Sequence, residues 1–149
     1  MKNLFDGEPE AARALPGHER RHLQVAVASL LYEVTRMDLA EAPQEHAAAA
    51  RALQELCGVA AAEAQALIAE GRERAKHLTS YFAPLGAIKR ALPLTERVRL
   101  IEHLWRIAYA DGRLDPYEDH FVRKMAHGLY VPNTQSMLAR NRARAGQGT

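Results

Sequence analysis

At 149 residues the chain fits one domain, large enough to bury a core without disulfides or a structural metal, and its one cysteine, Cys57, excludes an internal disulfide or a dithiol redox pair. An apolar fraction of 48%, much of it alanine, with only 6% aromatic residues, suits close-packed helices better than a β-sandwich. The 20 Lys and Arg against 18 Asp and Glu leave a formal charge of +2, which supplies no general attraction to nucleic acid or to an anionic membrane.

Residues 1–17 read as a polar N-terminal segment with room for a short helix. Met1 to Pro9 carries one Lys and only Leu4 and Phe5 before charges begin, so it lacks the apolar run of a signal peptide. No stretch approaches the roughly 18 apolar residues that a bilayer span needs. A cytoplasmic protein without direct membrane insertion is expected.

After the breaker Leu15-Pro16-Gly17, apolar residues recur at Leu23, Val27, Leu30, Val34 and Met37, spacings of three and four that trace one face of a long helix ending near Asp38. Leu39 to Ala42 form a short turn, and Pro43 starts a second helix, where its missing N–H is tolerated. Gly58 stops that helix after Cys57, which reads as core. Ala64, Leu67, Ile68, Ala75 and Leu78 stripe a third helix from Ala60 to about Thr79, with Gly71 on the same face allowing a close crossing.

Ser80 to Leu92 holds Pro84 and Gly86 and reads as a shorter helix that ends before Pro93. Thr95 is the expected N-cap of a central helix to Ala110, in which Val98, Leu100, Ile101, Leu104, Trp105, Ile107 and Ala108 cover more than one face. Asp115-Pro116-Tyr117-Glu118 opens a helix with Phe121, Val122, Met125, Ala126 and Leu129 inward. A last helix runs from about Pro132 to the arginines near 144, and 146–149 read as a frayed tail. Short connections and the absence of strict alternation predict an all-α bundle of six to eight helices over 18–145.

The chain repeats itself. Asp38, Pro43 and Glu45 align with Asp111, Pro116 and Glu118, since 111−38, 116−43 and 118−45 each equal 73. Val27 with Leu100, Leu31 with Leu104, Val34 with Ile107 and Leu56 with Leu129 keep that register, as a diverged duplication of a helix hairpin would. Each half then places an Asp at one helix end and a Glu in the first turn of the next. Asp38 and Asp111 sit where the helix macrodipole disfavours negative charge by roughly 0.3–1 kcal/mol, a penalty that a cation would offset.

Asp111 to Glu118 also matches the latter half of an EF-hand loop, but Ile107 and Tyr109 stand where the earlier ligands belong, so a true EF-hand is excluded. An oxygen-rich site supplied by Asp111, Asp115 and Glu118, and in the first half by Asp38, Glu41 and Glu45, suits Ca²⁺, Mg²⁺ or Mn²⁺ over zinc. The alternative is a capping box: Asp115 and Glu118 are correctly spaced around Pro116 to cap a helix with no metal. Glu45, whose N-cap would be Ala42, is the weaker cap.

The stretch Leu104-Trp105-Arg106-Ile107-Ala108-Tyr109-Ala110-Asp111-Gly112-Arg113-Leu114-Asp115-Pro116-Tyr117-Glu118, with the two-fold pattern around it, resembles the tellurite-resistance protein B (TerB) type of domain over about residues 20–144. In the first half Leu39 replaces the Gly, and Ala42 stands opposite Asp115. The resemblance implies an all-helical domain with pseudo-two-fold halves, whose clustered acids bind a divalent cation in a bacterial stress response. It implies tellurite resistance as the associated phenotype and a protein partner, including membrane-associated complexes, and it carries no catalytic residues.

Other constellations point to structure. His22, His46, His77, His103, His120 and His127 read as surface or cap residues, not as zinc ligands. Ser29, Ser80 and Ser136 lack a nucleophile setting, and no phosphate-binding glycine motif is present. Arg140, Arg142 and Arg144 complement a helix C-terminus, and Glu70, Arg72, Glu73, Arg74 and Lys76 form a solvated face. The expected function is a non-enzymatic cation-binding module; the alternative is a metal-independent protein-protein interaction domain whose acids are caps.

Overall fold

The computed structural model describes residues 17–36, 43–110, 112 and 114–147. They form seven helices: α1 (Gly17–Arg36), α2 (Pro43–Cys57), α3 (Ala61–Lys76), α4 (Phe82–Ala91), α5 (Leu94–Ala108), α6 (Pro116–Gly128) and α7 (Asn133–Gln147). Among the described residues there is no strand, and no helix is long and apolar enough to cross a membrane. The N-terminal segment as far as Pro16, with the short helix expected there, and the turn from Leu39 to Ala42 lie outside the described residues.

The apolar stripes fall where their periodicity puts them. Leu23, Val27, Leu30, Leu31 and Val34 of α1 are buried, as are Leu100, Ile101, Leu104, Trp105, Ile107 and Ala108 of α5. Each stripe spans more than one neighbour. α1 packs on α2, α3, α4, α5 and α6, and α5 packs on α1, α2, α6 and α7, so two helices share the central role expected of α5 alone. Cys57 is buried, as its place on an apolar face predicts.

Two boundaries differ from the sequence reading. α5 begins at Leu94, with Pro93 in the extended conformation before it and no side chain capping it, so Thr95 lies inside the helix. Pro93 supplies the start itself, because its carbonyl accepts from the amides of Glu96 and Arg97, both at 3.1 Å. α7 continues to Gln147, two residues past Ala145.

α1 and α3 cross closely at Gly71. A Cβ there would lie 2.8 Å from both the Ala28 carbonyl carbon and the Ser29 amide nitrogen of α1, so the backbones touch as no larger residue would permit. α1 with α3 is the most extensively packed pair, and α5 with α7 is the next. The repeat therefore extends beyond a hairpin. Ala64, Leu67 and Gly71 of α3 and Ser136, Ala139 and Ala143 of α7 are all buried, and 136−64, 139−67 and 143−71 each equal 72. Units α1-α2-α3 and α5-α6-α7 share one plan, and α4 joins them.

The step from 73 to 72 falls at the end of the middle helix. Gly58 ends α2 in the left-handed region, with φ 68°, as a C-terminal glycine commonly does. Its counterpart, since 130−58 is 72, is Tyr130, at φ 56°. The amide of Tyr130 donates to the His127 carbonyl (3.1 Å) and that of Val131 to the Ala126 carbonyl (2.9 Å), the paired bonds of a Schellman motif. A non-glycine residue there costs about 1–2 kcal/mol. Tyr130→Gly is expected to raise stability by about 0.5–1 kcal/mol after losing the Lys89 ammonium stacked 4.1 Å from its ring centroid, measurable as a higher Tm.

Candidate functional site

The second acidic corner is assembled between α5 and α6. Tyr109 caps α5, and its carbonyl accepts from the Gly112 amide at 2.9 Å. Gly112 has φ 90°, a conformation that turns the chain and that side-chain-bearing residues rarely adopt. Leu114 packs against the core and brings the chain back to Asp115, the N-cap of α6.

There the capping box forms. Asp115 Oδ1 accepts from the Tyr117 amide (2.8 Å), and Glu118 Oε1 accepts from the Asp115 amide (3.4 Å). Pro116 starts the helix without wasting a donor. The charges also lie at the positive end of the α6 dipole, which favours them. Asp115→Ala is expected to lower stability by about 1 kcal/mol, read from a denaturant midpoint with unchanged slope.

A cap does not require burial, yet Glu118 is 0% exposed. Glu45, third in α2 as Glu118 is third in α6, is also 0% exposed. A carboxylate removed from water carries a large desolvation penalty that only donors or positive charge can offset. Both halves of the repeat therefore keep the same energetically demanding group in the same place. α2 and α6, which carry these two glutamates, both pack on α1 and α5.

Of the expected ligands, Asp115, Glu118 and Glu45 are described, and the hydrogen bond from the Asp115 amide to Glu118 Oε1 brings Asp115 and Glu118 together. Asp38, Glu41 and Asp111 lie outside the described residues. Among the described residues no three His, Cys, Asp or Glu side chains gather into a metal-holding group. The donors present are oxygen only, the chemistry of a hard cation.

Four acidic or titratable positions were missed or misplaced by the sequence reading. Asp119, beside Glu118, binds Arg123 through Oδ2 at 3.0 Å, while its Oδ1 is buried and accepts no hydrogen bond from the described residues. Glu33, 1% exposed in the last turns of α1, is held by Arg36 at 3.1 Å. Its neighbour Tyr81 has its phenol pushed above the usual range by burial and by the hydrogen bond to Glu33. His103 is 5% exposed, with Nε2 3.4 Å from Glu55 Oε2, which corrects its reading as a surface residue. Its charged neighbours in sequence hid the fact that it lies on the inner face of α5.

The other histidines expected at the surface, His22, His46, His77, His120 and His127, are exposed. His22 closes a His18-Glu19-Arg20-Arg21-His22 run, the spacing of a zincin, which the sequence reading missed; His18, Glu19 and His22 are exposed at the start of α1 and belong to no metal-holding group among the described residues. Trp105 is fully buried one turn before Tyr109, its Nε1 donating to Ser136 Oγ at 3.4 Å, so α7 and the acidic corner share one aromatic support. The model of the family described as tellurite resistance protein TerB matches residues 24–141. No curated protein and no solved structure matches the chain.

Proposed function

The chain belongs to the tellurite resistance protein TerB family, and on that premise we propose that it is a non-enzymatic cytoplasmic binding module of a bacterial metal or chemical stress response, holding a divalent cation at its acidic helix corners. The observation that carries this reading is the pair of fully buried glutamates, Glu45 and Glu118, at equivalent third positions of helices that both start with proline. Asp115, Glu118 and Asp111 would hold the ion at the second corner, and Glu45, Asp38 and Glu41 would hold one at the first. Such an ion supplies positive charge where carboxylates are withdrawn from water. Ca²⁺, Mg²⁺ and Mn²⁺ suit these ligands better than zinc.

Titration calorimetry and thermal shift with millimolar Ca²⁺, Mg²⁺ and Mn²⁺ test it. A saturable heat and a rise in Tm are expected, both lost in Asp111→Asn and in Glu118→Gln. Gln keeps the oxygen that accepts from the Asp115 amide, so lost binding would be separable from a lost cap. No response in the parent protein, or a response that survives both substitutions, sinks the cation reading.

The complete capping box favours a second reading, a metal-independent interaction domain in which Asp115 and Glu118 act as caps. It predicts no ion effect on Tm. Either reading leaves the module to act through a protein partner, within a membrane-associated complex in the stress-response setting.

A further inference from the structure

A groove on the side of the fold formed by α4 combines exposed aromatic rings with positive charge. Phe82, Gly86, Lys89 and Arg90 follow one another along α4 at helical spacing, Arg97 faces them from α5, and Tyr130 closes the end after α6; these residues line an open cleft of about 650 Å³. Phe82 is 84% exposed and Tyr130 73%, the two most exposed large hydrophobic residues of the described chain. A Cβ on Gly86 would come within 3.2 Å of Arg90 Nη1, so the guanidinium lies over the glycine. Among the described residues the lining holds Lys89, Arg90 and Arg97 and no carboxylate, in a chain whose charges otherwise nearly balance.

The groove is also braced. Arg97 donates from Nε to the Leu92 carbonyl (3.2 Å) and from Nη1 to the Leu129 carbonyl (2.5 Å), tying the α4–α5 turn to the residue before Tyr130. Tyr130 itself holds a left-handed conformation that the equivalent Gly58 adopts without strain, and Lys89 stacks on its ring. An exposed aromatic kept in a strained conformation, where glycine would serve the fold better, points to a role outside folding.

We propose that this groove binds an acidic peptide segment of a partner protein, one that also carries an aromatic or aliphatic side chain. The cations come from α4 and α5 and the rings from α4 and the turn after α6, so the binding groups are spread over three segments, which matches an extended acidic chain better than a compact anion. Exposed aromatics and arginines on a rigid frame are the groups that dominate protein interfaces. Electrostatic complementarity would set encounter rate and specificity, with affinity falling as salt rises. The inference stands independently of cation binding at the acidic corners.

The test uses the full chain in EDTA, so that the cation reading does not enter, with a short fluorescein-labelled peptide of Glu, Asp, Phe and Leu. Saturable anisotropy is expected, with amide shift changes centred on Phe82, Lys89, Arg90 and Tyr130. The double variant Lys89→Glu, Arg90→Glu should weaken binding by about tenfold or more. Tyr130→Gly should weaken it by about tenfold while raising Tm, which separates lost contact from lost folding. Replacing the peptide's Glu and Asp by Gln and Asn should also weaken it about tenfold. The proposal is overturned by no saturable binding, equal binding of the neutral peptide, shifts that map elsewhere, or an unaltered Tyr130→Gly. It is overturned equally if millimolar inorganic phosphate displaces the peptide, or if phosphatidylglycerol vesicles bind the groove more tightly than the peptide does.

Discussion

Trp105→Ala is expected to destabilise the protein by about 3–5 kcal/mol, the range for removing a buried large aromatic. The indole is fully buried on α5, hydrogen-bonded to Ser136 of α7, with the Arg123 guanidinium of α6 6.0 Å from its ring centroid. Three helices therefore lose a common support, and the cavity left cannot close without moving α5, α6 or α7. For a chain of this size the loss lowers Tm by roughly 10–15 °C. Trp105→Phe keeps most of the packing and forfeits the hydrogen bond, so about 1–2 kcal/mol is expected. Equal losses in the two variants would mean that the hydrogen bond, not the ring volume, holds the helices. Because Tyr109 lies one turn further along α5, Trp105→Ala should also loosen the corner that Asp115 and Glu118 form, and any cation response should weaken with it.

At Gly71 two effects oppose each other. Alanine is the better helix former by about 1 kcal/mol, so an exposed glycine in mid-helix would gain from the change. Here the added methyl meets the Ala28 carbonyl carbon and the Ser29 amide at 2.8 Å, and backbone atoms cannot rotate away as a flexible side chain could. Overpacking typically costs about 1–3 kcal/mol and occasionally more, and α1 with α3 is the largest helix contact in the fold. Gly71→Ala should therefore lose about 1–2 kcal/mol net. Gly71→Val, with two methyls and a poor helix propensity, should lose about 3 kcal/mol or more. Urea midpoints with unchanged slopes would measure both. A stabilised Gly71→Ala would mean that the two helices are free to part.

What the sequence reveals follows from how local each feature is. Helix positions and the inward stripes of α1, α5 and α6 depend on spacing along one element, and periodicity exposes them. The constant offset of 73 exposes the duplication, because core face, turn and cap change together. Gly71 is legible for the same reason, a small residue on an otherwise apolar stripe. The burial of Glu45 and Glu118 is only partly legible: their matched positions mark them, but capping and ligation demand the same residues at the same spacing. His103 misled because its sequence neighbours are charged while its helix face points inward. The start of α5 misled because Thr95 is a good N-cap by type, whereas Pro93 already fixes the backbone that the first turn needs. The basic groove is invisible in sequence: Phe82, Arg97 and Tyr130 come from three segments and meet only through the fold. Tyr130 at a glycine-favouring position becomes noticeable only once the equivalence with Gly58 is known.

The matched units have a consequence for how the two halves meet. α1 and α5 occupy equivalent places, so their contact is self-complementary, the arrangement found on the axis of a two-fold dimer. The contacts of α2 with α5 and of α6 with α1 correspond under the repeat, the first being the more extensive. The halves thus join through an isologous interface within one chain, with α4 as the covalent tether. A homodimer must change both copies of any interface residue at once, whereas here each copy is encoded separately. That independence lets one half keep Gly58 while the other carries Tyr130, so a symmetric scaffold can support an asymmetric surface.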